Sequence, residues 1–210
     1  MLDRNQMVLE ALREVLQSDY RGPRAVFTQV DVLKTIIAIG RSGKVGRGRL
    51  GLLTGLGQGE VRTLIKRLKE NGLINIETNG CVLSRRGEEE YSKIRSLMLW
   101  SFPVEAQSLG LGKNCWAVGV AGAARKVHHG IEQRDAAIRS GADGAFTAIL
   151  RTGRFTVPGE GTDCEKDGPK EPWISIRKAG LSDGDAVIVT GSAAPAASEN
   201  GAMAALMTLL

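Results

Sequence analysis

The stretch from Leu50 to Tyr91, LGLLTGLGQGEVRTLIKRLKENGLINIETNGCVLSRRGEEEY, decides the fold of the N-terminal half. Gly55 and Gly57 make a tight turn, and the spacing after it predicts a long helix over 58–71. Val61, Leu64, Ile65 and Leu68 recur at three- and four-residue intervals, which puts them on one buried stripe. Arg62, Thr63, Lys66, Arg67 and Lys69 lie off that stripe and are expected to face solvent or a partner. Asn71-Gly72 ends the helix, and Leu73 and Ile74 turn the chain back into the core. Two strand-like runs, 74–78 and 81–84, then flank Asn79-Gly80, the strongest short signal for a β-hairpin. Ser84 caps a further helix, expected to reach Leu99.

Upstream of this stretch, Val8, Leu9, Leu12, Val15 and Leu16 predict an amphipathic helix over 2–17, broken at Arg21-Gly22-Pro23. A second helix is expected over 28–39, with Thr28 as its cap and Asp31 near the positive end of its dipole. Gly40 is expected to stop it. A glycine-rich basic turn, 41–46, leads into a short helix over 47–53 with Leu50 and Leu53 inward.

Composition excludes several classes. The chain has 210 residues, 42% of them hydrophobic and 24% charged, which is ordinary for a folded protein and excludes disorder and collagen-like repeats. Three distant cysteines, Cys81, Cys115 and Cys164, argue against a disulfide framework or a zinc site. No apolar run approaches the roughly 20 residues of a membrane helix, so a reduced, cytoplasmic protein is expected, with no membrane partner. Charge is unevenly placed. Residues 1–98 carry a net charge of +6 and residues 99–210 a net charge of −1. Lys34, Arg41, Lys44, Arg47 and Arg49 fall between Leu33 and Gly59 without one acidic residue. Such an asymmetry points to an anionic partner for the first half, nucleic acid first.

Helix, short helix, turn, long basic helix and hairpin, in that order, resemble the winged helix-turn-helix domain of transcription regulators over about residues 26–98. The features in register are Gly57, Val61, Leu64, Leu68, the run Asn71 to Ile74, and Asn79-Gly80. The resemblance implies binding of double-stranded DNA, with the long helix in the major groove and the hairpin on the backbone. Gln58, Arg62, Thr63 and Lys66 are then expected at base edges, and Arg47, Arg49, Arg67, Lys69, Arg85 and Arg86 at phosphates. Glu60 either accepts from a cytosine amino group or caps its own helix. Gly43-Lys44 does not make a phosphate-binding loop, because Ala38 and Val45 stand where glycine and a hydroxyl are required.

In the second half, Pro103, Gly110 and Gly112 suggest a link over 101–114 between a domain at 1–100 and another at 113–210. Strands are expected at 115–120, 145–150, 154–157, 173–177 and 185–190, and helices at 131–140 and after Pro195. The turn Thr152-Gly153 joins two of the strands, and 158–172 reads as a mobile surface loop. The whole is therefore α+β, an N-terminal winged helix followed by a small mixed α/β domain. No catalytic set emerges. His128 and His129 lack metal-spaced partners, Cys115 and Cys164 lack a base, and neither a metal nor a cofactor is expected. Two glycine turns before helices, at Gly130 and at Gly191-Ser192, are either ordinary helix caps or a site for a small anionic effector with Arg134 and Arg139 as countercharge.

The passages 130–159 and 181–205 resemble an archaeal two-domain family that joins a winged helix to a C-terminal domain of unknown function. That resemblance implies a transcription regulator whose second domain senses a ligand or dimerises. A homodimer is expected, with Val8, Leu12 and Val15 or Met203, Leu206 and Leu210 as candidate surfaces, either of which is equally open to packing inside its own domain. Two alternatives come from other classes. Leu181-x-x-Gly184-Asp185 is similar to part of the archaeal CTP-dependent riboflavin kinases, but Gly159-Glu160-Gly161 is followed by Thr162 rather than tyrosine, and no catalytic residue carries over. A winged helix used only for protein contacts is the other.

Overall fold

The structure is a computed structural model that describes residues 4–17 and 26–210. The expected helix start at Leu2 and the break at Arg21-Gly22-Pro23 lie outside the described residues. The chain divides into two compact units, Met1–Arg95 and Ser96–Leu210, and its elements are mixed α and β.

Unit 1 opens with α1 (Arg4–Gln17) and α2 (Gln29–Ser42). Val8, Leu12 and Val15 are each fully buried, and α1 packs on α2 and on the later helix over Gln58–Glu70. The apolar stripe expected as a dimer surface is thus inside the unit. At the start of α2, Thr28 donates its backbone N–H and its hydroxyl to Asp31 Oδ2, at 2.7 and 2.8 Å. Gly40 does not end α2. The helix runs through it to Ser42 and stops at Gly43, whose φ of 72° is open to glycine. Gly40 serves packing instead, because a Cβ there would lie 2.5 Å from the Tyr91 ring. Gly40→Ala is therefore expected to lower stability by about 2 kcal/mol, although alanine is the better helix former. Urea denaturation checks this, and a stabilised variant would show that the ring moves aside freely.

Next come α3 (Arg47–Thr54) and α4 (Gln58–Glu70), joined through Gly55, which is left-handed at φ 74°. Leu50 is buried but Leu53 is exposed, contrary to expectation. Val61, Leu64, Ile65 and Leu68 bury the α4 stripe as expected. The hairpin of β1 (Ile74–Glu77) and β2 (Gly80–Leu83) follows. Its tip is Thr78-Asn79 rather than Asn79-Gly80, since Glu77 pairs with Gly80. Gly80 answers to a different need. Val45 forms a bridge to Cys81, and a Cβ on Gly80 would sit 2.8 Å from the Val45 carbonyl. The last helix, α5 (Arg85–Leu97), starts with Ser84 Oγ accepting the Gly87 N–H at 3.0 Å. It ends short of Leu99 because the chain turns into a strand.

Unit 2 is one antiparallel sheet. Its strands are β3 (Met98–Val104), β4 (Asn114–Val120), β5 (Gly144–Arg151), β6 (Arg154–Thr156) and β7 (Ala186–Ser192), in the order β3-β4-β7-β5-β6. The expected link at 101–114 is instead largely structured. Ser101, Phe102, Pro103 and Val104 pair with Val118, Ala117, Trp116 and Cys115. Pro103 is tolerated because β3 is an edge strand. Every residue of β7 is buried, as a central strand covered on both faces requires. One face is covered by α6 (Ile131–Arg139) and α8 (Pro195–Met207). The other carries Ala117, Ala148, Leu150, Val187 and Val189 against Phe155, Trp173 and Ile176.

Trp173 and Ile176 belong to a helix, α7 (Glu171–Ala179), and not to the strand expected at 173–177. Pro172 starts it, and the buried positions 172, 173 and 176 follow helical spacing. The turn at Thr152-Gly153 forms as expected, with φ of 48° and 73°. The loop before α7 is tied down. Cys164 N–H bonds to Phe155 O at 2.8 Å, and Asp163 Oδ1 accepts the Glu165 and Lys166 N–H groups at 3.1 Å. Met203, Leu206 and Leu210 are buried within unit 2, so the second surface expected for a dimer is also core.

Candidate functional site

Arg47, Arg49, Arg62, Lys66, Arg67 and Lys69 lie on α3 and α4, and the structure sorts these and the neighbouring cations. Arg67 faces inward and is only 4% exposed. Its Nη1 donates to Leu16 O at 2.9 Å and Val15 O at 3.4 Å, and its guanidinium lies 5.5 Å from the Phe27 ring centroid. It caps the C-terminal carbonyls of α1 and is no phosphate contact, which corrects the expectation. Lys34 is buried as well, at 7% exposure, and leaves the basic stretch. Arg86 is half committed: Nη1 donates to Asn71 O at 2.8 Å and Nη2 to Glu14 Oε2 at 2.6 Å. Arg85 Nε lies 3.4 Å from Glu89 Oε1, and Lys66 Nζ lies 3.8 Å from Glu70 Oε1.

Arg47, Arg49, Arg62 and Lys69 are exposed, and none forms an ion pair among the described residues. Arg47 and Arg49 stand in the first turn of α3, which holds no acidic residue. Cations at that end of a helix dipole are electrostatically disfavoured, so an anion there would be doubly attracted. Glu60 is used internally, accepting the Gly57 N–H at 2.8 Å. Thr63 is half-buried and donates its hydroxyl to Gly59 O at 3.0 Å, while Gln58 is exposed. Between α3 and α4 runs a groove of about 480 Å³ lined by Arg47, Gly48, Gly51, Leu52, Leu56, Gln58, Val61 and Arg62. Leu52 is a lining residue that the sequence reading does not single out. Its place opposite Leu50 on the helix was the available signal.

The Gly191-Ser192 turn of unit 2 is filled. A Cβ on Gly191 would lie 2.5 Å from the Leu111 carbonyl, and Ser192 is buried in β7. The N–H groups beyond them are taken: Ala193 N–H bonds to Asp143 Oδ2 at 2.9 Å and Ala194 N–H to Ser192 Oγ at 3.2 Å. A carboxylate of the chain itself therefore occupies the expected anion position. Gly130, at φ 75°, packs against Thr147, and its carbonyl accepts the Arg134 N–H at 3.0 Å. The Arg134 and Arg139 side chains are exposed on α6.

Among the described residues, no three His, Cys, Asp or Glu side chains gather as a metal-binding group. Burial pushes the Cys81 thiol up against the opposing pull of Arg47, and burial pushes Cys115 up too. Burial, with Asp163, Glu165 and Asp167 nearby, takes Cys164 up to about 12. All three thiols hold their protons at neutral pH, which disfavours a nucleophilic role. No described helix is long and apolar enough to cross a membrane.

Residues 111–209 match the family model of a domain of unknown function, DUF4443. The chain is similar in structure to a hypothetical protein from Pyrococcus horikoshii OT3, with 26% sequence identity and a TM-score of 0.70 over 87% of this chain and 92% of that one. No curated protein matches the chain. These likenesses fit a two-domain archaeal family with an uncharacterised C-terminal domain.

Proposed function

We propose that α2 to α5, with the β1–β2 hairpin, act as a winged helix that binds duplex DNA, and that the protein regulates transcription. The element order supports this reading, and one observation carries it. Arg47, Arg49, Arg62 and Lys69 present charges around α3 and α4 that form no ion pair among the described residues, while Arg67 is committed inside the unit and Lys66 and Arg86 to nearby acids. In this reading Gln58, Arg62, Thr63 and Lys66 approach base edges from α4. Arg47, Arg49 and Lys69 neutralise phosphates, with Arg85 and Arg86 joining where they leave their carboxylates. The hairpin tip, Thr78-Asn79, touches the backbone.

Fluorescence anisotropy of the full chain with random-sequence duplex, across a salt series, tests the reading. Neutralising three phosphates, through Arg47, Arg49 and Lys69, gives an expected slope of about −2.7 in log K against log salt. The Arg62→Glu/Lys66→Glu variant is expected to lose detectable binding. Equal affinity in wild type and variant, or no binding by wild type at low salt, would refute the proposal.

A further inference from the structure

Leu52 is 87% exposed, the most exposed of the large apolar side chains described. Leu50, two residues earlier and about 200° around the helix, points into the core. The fold of unit 1 therefore makes no use of a leucine at position 52. The residues around it open space for something else. Gly48 and Gly51 offer no side chains, so the groove between α3 and α4 stays clear beside Leu52. Leu52, Leu56 and Val61 make its apolar part, Arg47, Arg62 and Gln58 line the rest, and no carboxylate of the described residues lines it.

An occupant that suits this groove brings a small apolar group within a field of negative charge. Duplex DNA presents that combination in its major groove, where the C5-methyl of thymine sits between two phosphate strands. The neighbouring side chains fit the same surface. A glutamine amide matches the N6 and N7 edge of adenine, and a guanidinium matches the O6 and N7 edge of guanine. We infer that Leu52 reads the C5-methyl group of thymine, giving the α3–α4 surface a preference for methyl-bearing pyrimidines. This inference rests on the DNA-binding reading and adds to it an apolar source of sequence preference, which the phosphate contacts of Arg47, Arg49 and Lys69 do not supply, since such contacts are blind to sequence.

The test uses the full chain at one fixed salt concentration and duplexes that differ by the methyl alone. An alternating dA·dT duplex is compared with the same duplex carrying deoxyuridine for thymidine. An alternating dG·dC duplex is compared with its 5-methylcytosine form. Wild type is expected to bind the uracil duplex about fourfold more weakly for each methyl contacted, and the methylated dG·dC duplex correspondingly more tightly. Leu52→Ala is expected to bind the thymine and uracil duplexes equally, at the wild-type uracil level. Because Leu52 is exposed, its thermal midpoint should match wild type.

Wild type that binds the thymine and uracil duplexes equally overturns the inference and leaves the DNA reading standing, with the groove then open to an acidic protein segment. Discrimination that persists in Leu52→Ala also overturns it, and would place the readout in duplex shape. Wild type that binds no duplex at low salt removes both readings together.

Discussion

Arg67→Ala is expected to lower the stability of unit 1 by about 3 kcal/mol while leaving the salt slope of DNA binding unchanged. The two effects come from one placement. The guanidinium is buried against Phe27 and donates to the last carbonyls of α1, where the helix dipole favours a cation. Truncation leaves the Val15 and Leu16 carbonyls without this donor and removes the packed stem. Arg67→Lys keeps the charge but not the planar fork, so an intermediate loss is expected. Thermal unfolding gives the stability, and anisotropy measured well below the variant's midpoint gives the slope. An unchanged midpoint with a slope shallower by about 0.9 would mean that Arg67 meets a phosphate after all.

Arg67 also marks how far periodicity carries a reading. The α4 stripe was legible because Val61, Leu64, Ile65 and Leu68 repeat at helical spacing, and all are buried. Arg67 stands three residues after Leu64, at the edge of that stripe, and its partner comes from α1, 51 residues earlier in the chain. Local spacing holds no record of that approach. The same limit hid the Glu14 partner of Arg86, 72 residues away. Glycine was the second source of error. Gly40 reads as a stop and Gly191 as an anion cradle, yet each is small because another part of the chain presses on it. Gly43 and Gly55, which do end helices, have the positive φ that a stop requires. The strand expected at 173–177 is a helix instead, because the buried positions 172, 173 and 176 follow helical spacing. The candidate site was legible as residue types, since Arg47, Arg49, Arg62 and Lys69 do stay exposed. The groove containing Leu52 was not, because it exists only where α3 and α4 meet.

Gly191→Ala is expected to cost unit 2 about 3 kcal/mol or more, among the largest losses open to a single added methyl. Gly191 lies in β7, paired to Cys115 on one side and Gly144 on the other, so it cannot shift along either neighbour without breaking register. Its carbonyl also accepts the Asp143 N–H at 2.8 Å. The added Cβ would meet the Leu111 carbonyl carbon and oxygen at 2.5 Å, and these are backbone atoms with no rotamer to yield. Relief would have to come from the segment before β4, where Gly112, the next residue, is equally confined, since a Cβ there would lie 2.5 Å from the Ser192 backbone nitrogen. An effector cradle and a packing contact therefore differ in outcome. If Gly191 held an anion, the alanine variant would keep its wild-type midpoint without ligand and lose only a phosphate-dependent rise. If Gly191 closes the sheet against Leu111, the midpoint falls without ligand, and added phosphate restores nothing. Differential scanning calorimetry of wild type and Gly191→Ala, each with and without phosphate, separates the two. The geometry of β7 favours the second result, which would move the search for an effector away from the start of α8.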